Sequence, residues 1–187
     1  MKKSFFSVVV LLIFAPALKA APIRSENNMI FPKITSYRSA SCGCCKKWVN
    51  YLKSNGLEVV DNIVEDISLI KEQYSIPNNL RSCHTANMGN YLLEGHVPFQ
   101  SIKKLNLKSP TIAGIAVPGM PHGSPGMEVH NHGSHSHDHY KSYEVYSFGE
   151  NIQEEIFDKV TPEPSASSGH LPLSLKFSSS IIRLPLL

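Results

Sequence analysis

Three of the four cysteines lie within five residues, Ser41-Cys42-Gly43-Cys44-Cys45. This crowding constrains the chain more than any other feature. An apolar, β-type run, Ile34 to Ala40, leads into it, and an amphipathic run, Lys46 to Asn55, leaves it. Cys42 and Cys45 make a Cys-x-x-Cys, which at a strand-to-helix junction suits a thioredoxin-like redox pair or half of a metal site. Cys42 and Cys44 make a Cys-x-Cys, and Cys44 adjoins Cys45. A dithiol catalyst needs two sulfurs. The third points to metal. A helix N-terminus favours thiolate over thiol, because its free N–H groups present partial positive charge. Cysteines this close together cannot staple distant loops, so cysteine usage points to chemistry rather than to a disulfide scaffold.

The elements around this turn follow from periodicity. Ile34 to Tyr37 predicts a first strand. Cys45, Trp48, Val49 and Leu52 share one helical face, with Lys46, Lys47, Asn50 and Lys53 on the other. Asn55-Gly56 is a helix stop. Leu57 to Val64 predicts a second strand. Asp66 caps a second helix with the stripe Ile67, Ile70 and Tyr74, which Pro77 ends. Strand, Cys-x-x-Cys, helix, strand, helix is how a thioredoxin-like domain begins. Further on, Tyr91 to Leu93 is strand-like, Val97-Pro98 opens a third helix with Ile102 and Leu105 inward, and Ile112 to Val117 predicts a central strand. Tyr143 to Phe148 alternates and is expected to be the last strand, stopped by Gly149. The expected fold is α/β: a single thioredoxin-like domain, its mixed central sheet flanked by helices, with a Pro/Gly-rich metal-site loop.

The patterned region, residues 32–160, fits one domain of ordinary size, about 100 to 150 residues. Ahead of it, Lys2 and Lys3 precede the uncharged run Phe5 to Leu18, with small residues at Ala15, Ala17, Ala20 and Ala21. Residues 1–20 thus read as an export signal, and a periplasmic location is expected. The run is shorter than the roughly 20 apolar residues of a membrane span, so the mature form is expected to have no stable span. Residues 161–187 are rich in Ser and Pro and are expected to be a disordered tail. The net charge is +3. It is scattered, with no basic block interleaved with aromatics, so nucleic acid is not an expected partner.

Beyond the first cysteine turn, three stretches carry ligand chemistry. Ser82-Cys83-His84-Thr85 places a thiol beside an imidazole and suits a second metal half-site. The loop Pro118 to Met127 is too dense in Gly and Pro for helix or strand, yet holds Met120, His122 and Met127. No regular face exists there for the methionines to complete. Thioethers with thiolates are soft ligands that select Cu(I), whereas zinc is satisfied by Cys and His. Copper, as Cu(I), is therefore favoured, with zinc as the alternative. The metal-site candidates are Cys42, Cys44, Cys45, Cys83, His84, Met120 and Met127. Accessory candidates are His96, His122, and the tract His130, His132, His135, His137 and His139, whose composition suits modest, unselective metal binding.

The blocks Cys42-Gly43-Cys44-Cys45 with Trp48, Ser82-Cys83-His84-Thr85-Ala86, Glu94-Gly95-His96-Val97-Pro98, Ala116-Val117-Pro118-Gly119-Met120-Pro121 and Gly123-Ser124-Pro125-Gly126-Met127-Glu128 occur in this order. Together they resemble the CopG-type family, catalogued as domain of unknown function 411: periplasmic, thioredoxin-like proteins linked to bacterial copper resistance. The resemblance spans about Ile34 to Gly149. It implies copper held by the cysteines as a thiolate-bridged cluster, and a role beside periplasmic copper efflux or copper oxidase proteins. The His-rich tract and the tail lie outside it.

The leading expectation is a periplasmic copper-binding protein of copper resistance. A copper oxidoreductase stays open within that reading. A thiol-disulfide oxidoreductase using Cys42 and Cys45 is the enzyme alternative. Such a catalyst places a cis-proline opposite its cysteine pair, for which Pro77 and Pro98 are the candidates. A zinc-stabilised structural domain is the third reading.

Overall fold

The computed structural model describes residues 29–128, 141–150 and 152–162. The expected export signal, His130, His132, His135, His137, His139 and the tail beyond residue 162 lie outside the described residues. All elements below belong to the unit that begins at Phe31.

Strand β1 (Ile34–Arg38) runs directly into the cysteine turn. Helix α1 (Gly43–Ser54) follows, and its buried residues are Cys45, Trp48, Val49 and Leu52, the face that the periodicity marks out. It stops at Asn55, and Gly56 takes the left-handed backbone, φ +82°, that glycine accepts most readily. β2 (Val59–Ile63) lies parallel to β1. α2 (Ile67–Gln73) starts where Asp66 accepts the Ser68 N–H at 2.8 Å. Its buried residue, however, is Lys71, while Ile67, Ile70 and Tyr74 are only partly covered. A 3₁₀ turn, Asn78–Leu80, leads into a hairpin of β3 (Thr85–Met88) and β4 (Tyr91–Glu94). α3 (Phe99–Lys108) returns the chain to β5 (Gly114–Ala116), parallel to β4. β6 (Tyr143–Gly149) pairs antiparallel with β5.

β6 is not the last strand. β7 (Ile152–Val160) folds back along it and forms one edge of the sheet. Its run Gln153-Glu154-Glu155 hides the strand from an apolar-alternation reading, because an edge strand needs little burial. Ser101 and Lys104 of α3 tie it down through Asp158, at 2.8 Å each. Burial alone would raise the Asp158 carboxyl, but these bonds outweigh it and hold it below the usual value.

The seven strands form one mixed sheet in the order β2-β1-β3-β4-β5-β6-β7. Trp48, Val49 and Leu52 of α1 share a core with Ile102 and Leu105 of α3 on one face. Ile76 and Leu80 cover Leu92, Ala116 and Phe148 on the other. Burying each large apolar side chain contributes roughly 1.5–3 kcal/mol, so the middle of the sheet is its most stable part. Among the described residues no helix is long and apolar enough to cross a membrane, and no peptide bond is cis. The cis-proline expected at Pro77 or Pro98 is not found.

Candidate metal centre

The sheet topology brings four separate segments to one end. β3 runs antiparallel to β1, with Tyr37 opposite Thr85. The chain leaving β1 towards Cys42 therefore meets the chain entering β3 through Cys83 and His84. Thr85 also stands opposite Glu94, so Gly95-His96 leaves β4 at the same place. β5 runs parallel to β4 with Ala116 beside Glu94, and the Pro/Gly loop departs there too.

The sulfurs of Cys42, Cys44, Cys45 and Cys83 all lie within 4.8 Å of one another. So do the ligand atoms of Cys83, His84 and His96. Cys83 belongs to both groups. Cys42 is the N-cap of α1, and its sulfur accepts the Cys45 N–H at 3.3 Å and lies 3.5 Å from the Cys44 sulfur. Cys42 and Cys45 are joined as a disulfide, while Cys44 and Cys83 are free. A disulfide sulfur carries no thiolate charge. Two electrons and two protons must enter before all four sulfurs can serve as thiol ligands.

The other side of the site is imidazole. His96 Nε2 lies 3.0 Å from the Cys83 sulfur, and His84 Nδ1 lies 3.4 Å from it. His96 Nδ1 is 2.7 Å from the Pro125 carbonyl. A carbonyl only accepts, so Nδ1 carries the proton and Nε2 presents its lone pair to Cys83. His84 is fully buried between the Trp48 ring, centroids 4.4 Å apart, and the His96 ring at 4.9 Å. Among the described residues its Nε2 has no hydrogen-bond partner. Leaving such an atom unpaired costs roughly 1–3 kcal/mol. It is the other ring nitrogen, Nδ1, that faces the Cys83 sulfur.

Electrostatics follow burial. Desolvation first, and the neighbouring Cys44 second, push the Cys83 thiol up to about 11. Without metal it is a neutral thiol. Burial lowers His84 well below the ordinary imidazole value, helped by His96, Lys71 and Arg38. Burial also lowers His96, against the Pro125 carbonyl and Glu128. Both rings are therefore neutral at pH 7, the form that ligates metal.

The Pro/Gly loop roofs this cluster. Gly126 has φ +89°, and a Cβ there would stand 2.6 Å from the Cys44 carbonyl and 3.0 Å from the Trp48 nitrogen. Gly119 anchors the loop's other arm by accepting the Ser82 hydroxyl. Met127 is partly buried, whereas Met120 is 52% exposed and His122 lies at the surface. The loop thus covers the centre with backbone, at Gly126 over Cys44 and at the Pro125 carbonyl against His96. His96 occupies a more central position than sequence reasoning assigned it. Lys71 and Glu94, which sequence reasoning missed, lie directly behind Cys83 and His84. The one available signal was a lysine at position 71, next to the apolar stripe of α2.

Comparison with known proteins gives three results. A family model described as "Protein of unknown function, DUF411" matches residues 80–127, the stretch from Leu80 through Cys83, His84 and His96 to Met127. No curated protein matches the chain. Two solved structures are similar over nearly all of their own length. One, "Copper resistance protein copG- Form 2", is 37% identical over 69% of this chain and 98% of the other, with TM-score 0.61. The second, "Copper resistance protein copG- Form 1", is 36% identical over 72% of this chain and 100% of the other, also with TM-score 0.61. With that identity over that coverage, the resemblance read from the cysteine and histidine blocks holds, and the chain belongs to the CopG-type, DUF411 family.

Proposed function

We propose that this chain is a periplasmic copper-binding protein of copper resistance or homeostasis. Cys42, Cys44, Cys45 and Cys83 hold Cu(I), and His84 and His96 complete the site on its buried side. Met120 and Met127 are auxiliary thioethers. The observation that carries the reading is the convergence of four sulfurs and two neutral imidazoles at one sheet end. Cu(I) accepts few ligands and shares thiolates readily, so this set suits a thiolate-bridged cluster. The copper-resistance proteins that resemble the chain support the choice of metal, as does the softness of the donor set. The order β-α-β-α-β-β-α through α3, with the cysteine pair at the N-terminus of α1, supports the thioredoxin-like reading. The test is elemental analysis of protein exported in copper-fed cells. Copper well above one equivalent, in excess over zinc, is expected. Stoichiometric zinc without copper would contradict the reading.

A second reading rests on the Cys42–Cys45 disulfide at a helix N-terminus, the placement of a dithiol catalyst. Insulin reduction by the metal-free protein decides it. Turnover no faster than glutathione background rules it out.

A further inference from the structure

A buried lysine faces a buried glutamate behind the cluster, and their bonds close into a ring. Glu94 is 0% exposed and Lys71 4%. Glu94 Oε1 accepts Lys71 Nζ at 2.5 Å and the Ser82 backbone N–H at 2.6 Å. Glu94 Oε2 accepts the Thr85 hydroxyl at 2.6 Å, and Thr85 Oγ1 in turn accepts Lys71 Nζ at 2.9 Å. Two of the three Lys71 donors, the Ser82 N–H and the Thr85 hydroxyl each find an acceptor within this ring.

Ser82 and Thr85 flank Cys83 and His84. One carboxylate therefore grips the Cys83-His84 pair from both ends, one oxygen on each side. The Gly95 N–H adds a bond to the His84 carbonyl at 2.9 Å. Gly95 itself lies between Glu94 and His96, with φ +71° and no room for a Cβ, which would stand 2.5 Å from the Val117 carbonyl. The same short segment thus carries the clamp at Glu94 and a ligand candidate at His96. A buried ion pair is a poor device for stability, since an apolar pair of similar volume is often neutral or better. A rigid frame for metal ligands is a better reason for it, because partners behind the ligands orient them.

We propose that the Lys71–Glu94 pair is a positioning device. Through Ser82 and Thr85 it fixes Cys83 and His84 in the geometry that takes up metal. This rests on the reading of the Cys/His cluster as the copper site. Neither residue touches the metal in this scheme.

The test is anaerobic Cu(I) titration of the reduced mature chain against a chromophoric Cu(I) chelator, with thermal unfolding of the metal-free protein alongside. The variant Lys71→Met with Glu94→Leu replaces the pair by apolar groups and removes the acceptors of Ser82 and Thr85. Its expected Cu(I) affinity is about tenfold or more below wild type, in a metal-free protein that has a lowered midpoint but still unfolds in one cooperative step. Wild-type affinity and copper number in that folded variant overturn the proposal. If it does not fold, Thr85→Val decides, since it removes one arm and leaves the ion pair. A loss of about two- to tenfold, the worth of one hydrogen bond, with recovery in Thr85→Ser, supports the clamp. Unchanged binding in Thr85→Val overturns it. Failure of wild type to hold Cu(I), or undiminished binding by Cys83→Ser, instead overturns the site reading and this inference with it.

Discussion

The two halves of the candidate metal centre are built differently. The α1 half carries Cys42 and Cys44 partly exposed, and its Cys42–Cys45 pair can open or close with redox state. The β3–β4 half carries His84 and His96 fully buried, His96 oriented by the Pro125 carbonyl and His84 next to Thr85, which Glu94 holds. One half can change its chemistry, and the other is preset. Cys83 joins them, because it stands within ligand reach of both sets. A centre so arranged can alter its metal capacity by two-electron reduction without reorganising its buried wall.

The largest expected effect tests the changeable half. With the disulfide closed, two sulfurs are unavailable, and Cu(I) should bind at least about 100-fold more weakly than to the reduced chain, roughly 2.7 kcal/mol. Chelator competition on oxidised and reduced protein measures this, and equal affinities would erase the distinction between the halves. Next comes the roof that spans both. Gly126→Ala forces a Cβ against the Cys44 carbonyl and the Trp48 nitrogen at a left-handed φ. It should cost about 2–3 kcal/mol of stability, read by denaturant unfolding. A cost below 0.5 kcal/mol would mean that the loop does not rest on α1 as described.

The preset half should reveal itself in acid. Folded His84 and His96 resist protonation, whereas unfolded imidazoles take up a proton near pH 6.5. Stability from keeping them neutral is thus full above about pH 6.5 and is lost as pH falls towards the lowered folded values. The metal-free midpoint should drop between pH 7.5 and 5, and His84→Asn should flatten that drop. A pH-independent midpoint would contradict the burial argument. The smallest effect is expected at Met120, whose side chain is half exposed. Met120→Leu should change Cu(I) affinity by less than about threefold, less than one ordinary hydrogen bond. A larger loss would move that thioether into the inner ligand set.

Much of this was legible in the sequence, for identifiable reasons. α1 declares itself through Cys45, Trp48, Val49 and Leu52, and α2 through its Asp66 cap, because local periodicity and capping decide both. Cys42, Cys44, Cys45, Cys83 and His84 stand out because their residue types are rare and crowded. The hairpin was only half legible. Tyr91 to Leu93 shows as a strand, but Thr85–Met88 carries Thr, Ala and Asn, and its partner is supplied by pairing with β1. β7 was missed because edge strands tolerate charge. The buried Lys71–Glu94 ring and the central place of His96 were beyond reach for another reason. Both depend on which strand ends meet, and that is a property of sheet order rather than of any local pattern.

The central claim is that the α1 cysteines and Cys83 act together on Cu(I). Its most direct test is anaerobic Cu(I) titration of the reduced mature protein beside Cys42→Ser with Cys83→Ser. Wild type should hold several Cu(I) tightly, and the double variant should lose tight binding while keeping its fold. Undiminished tight copper binding by the double variant would contradict the account.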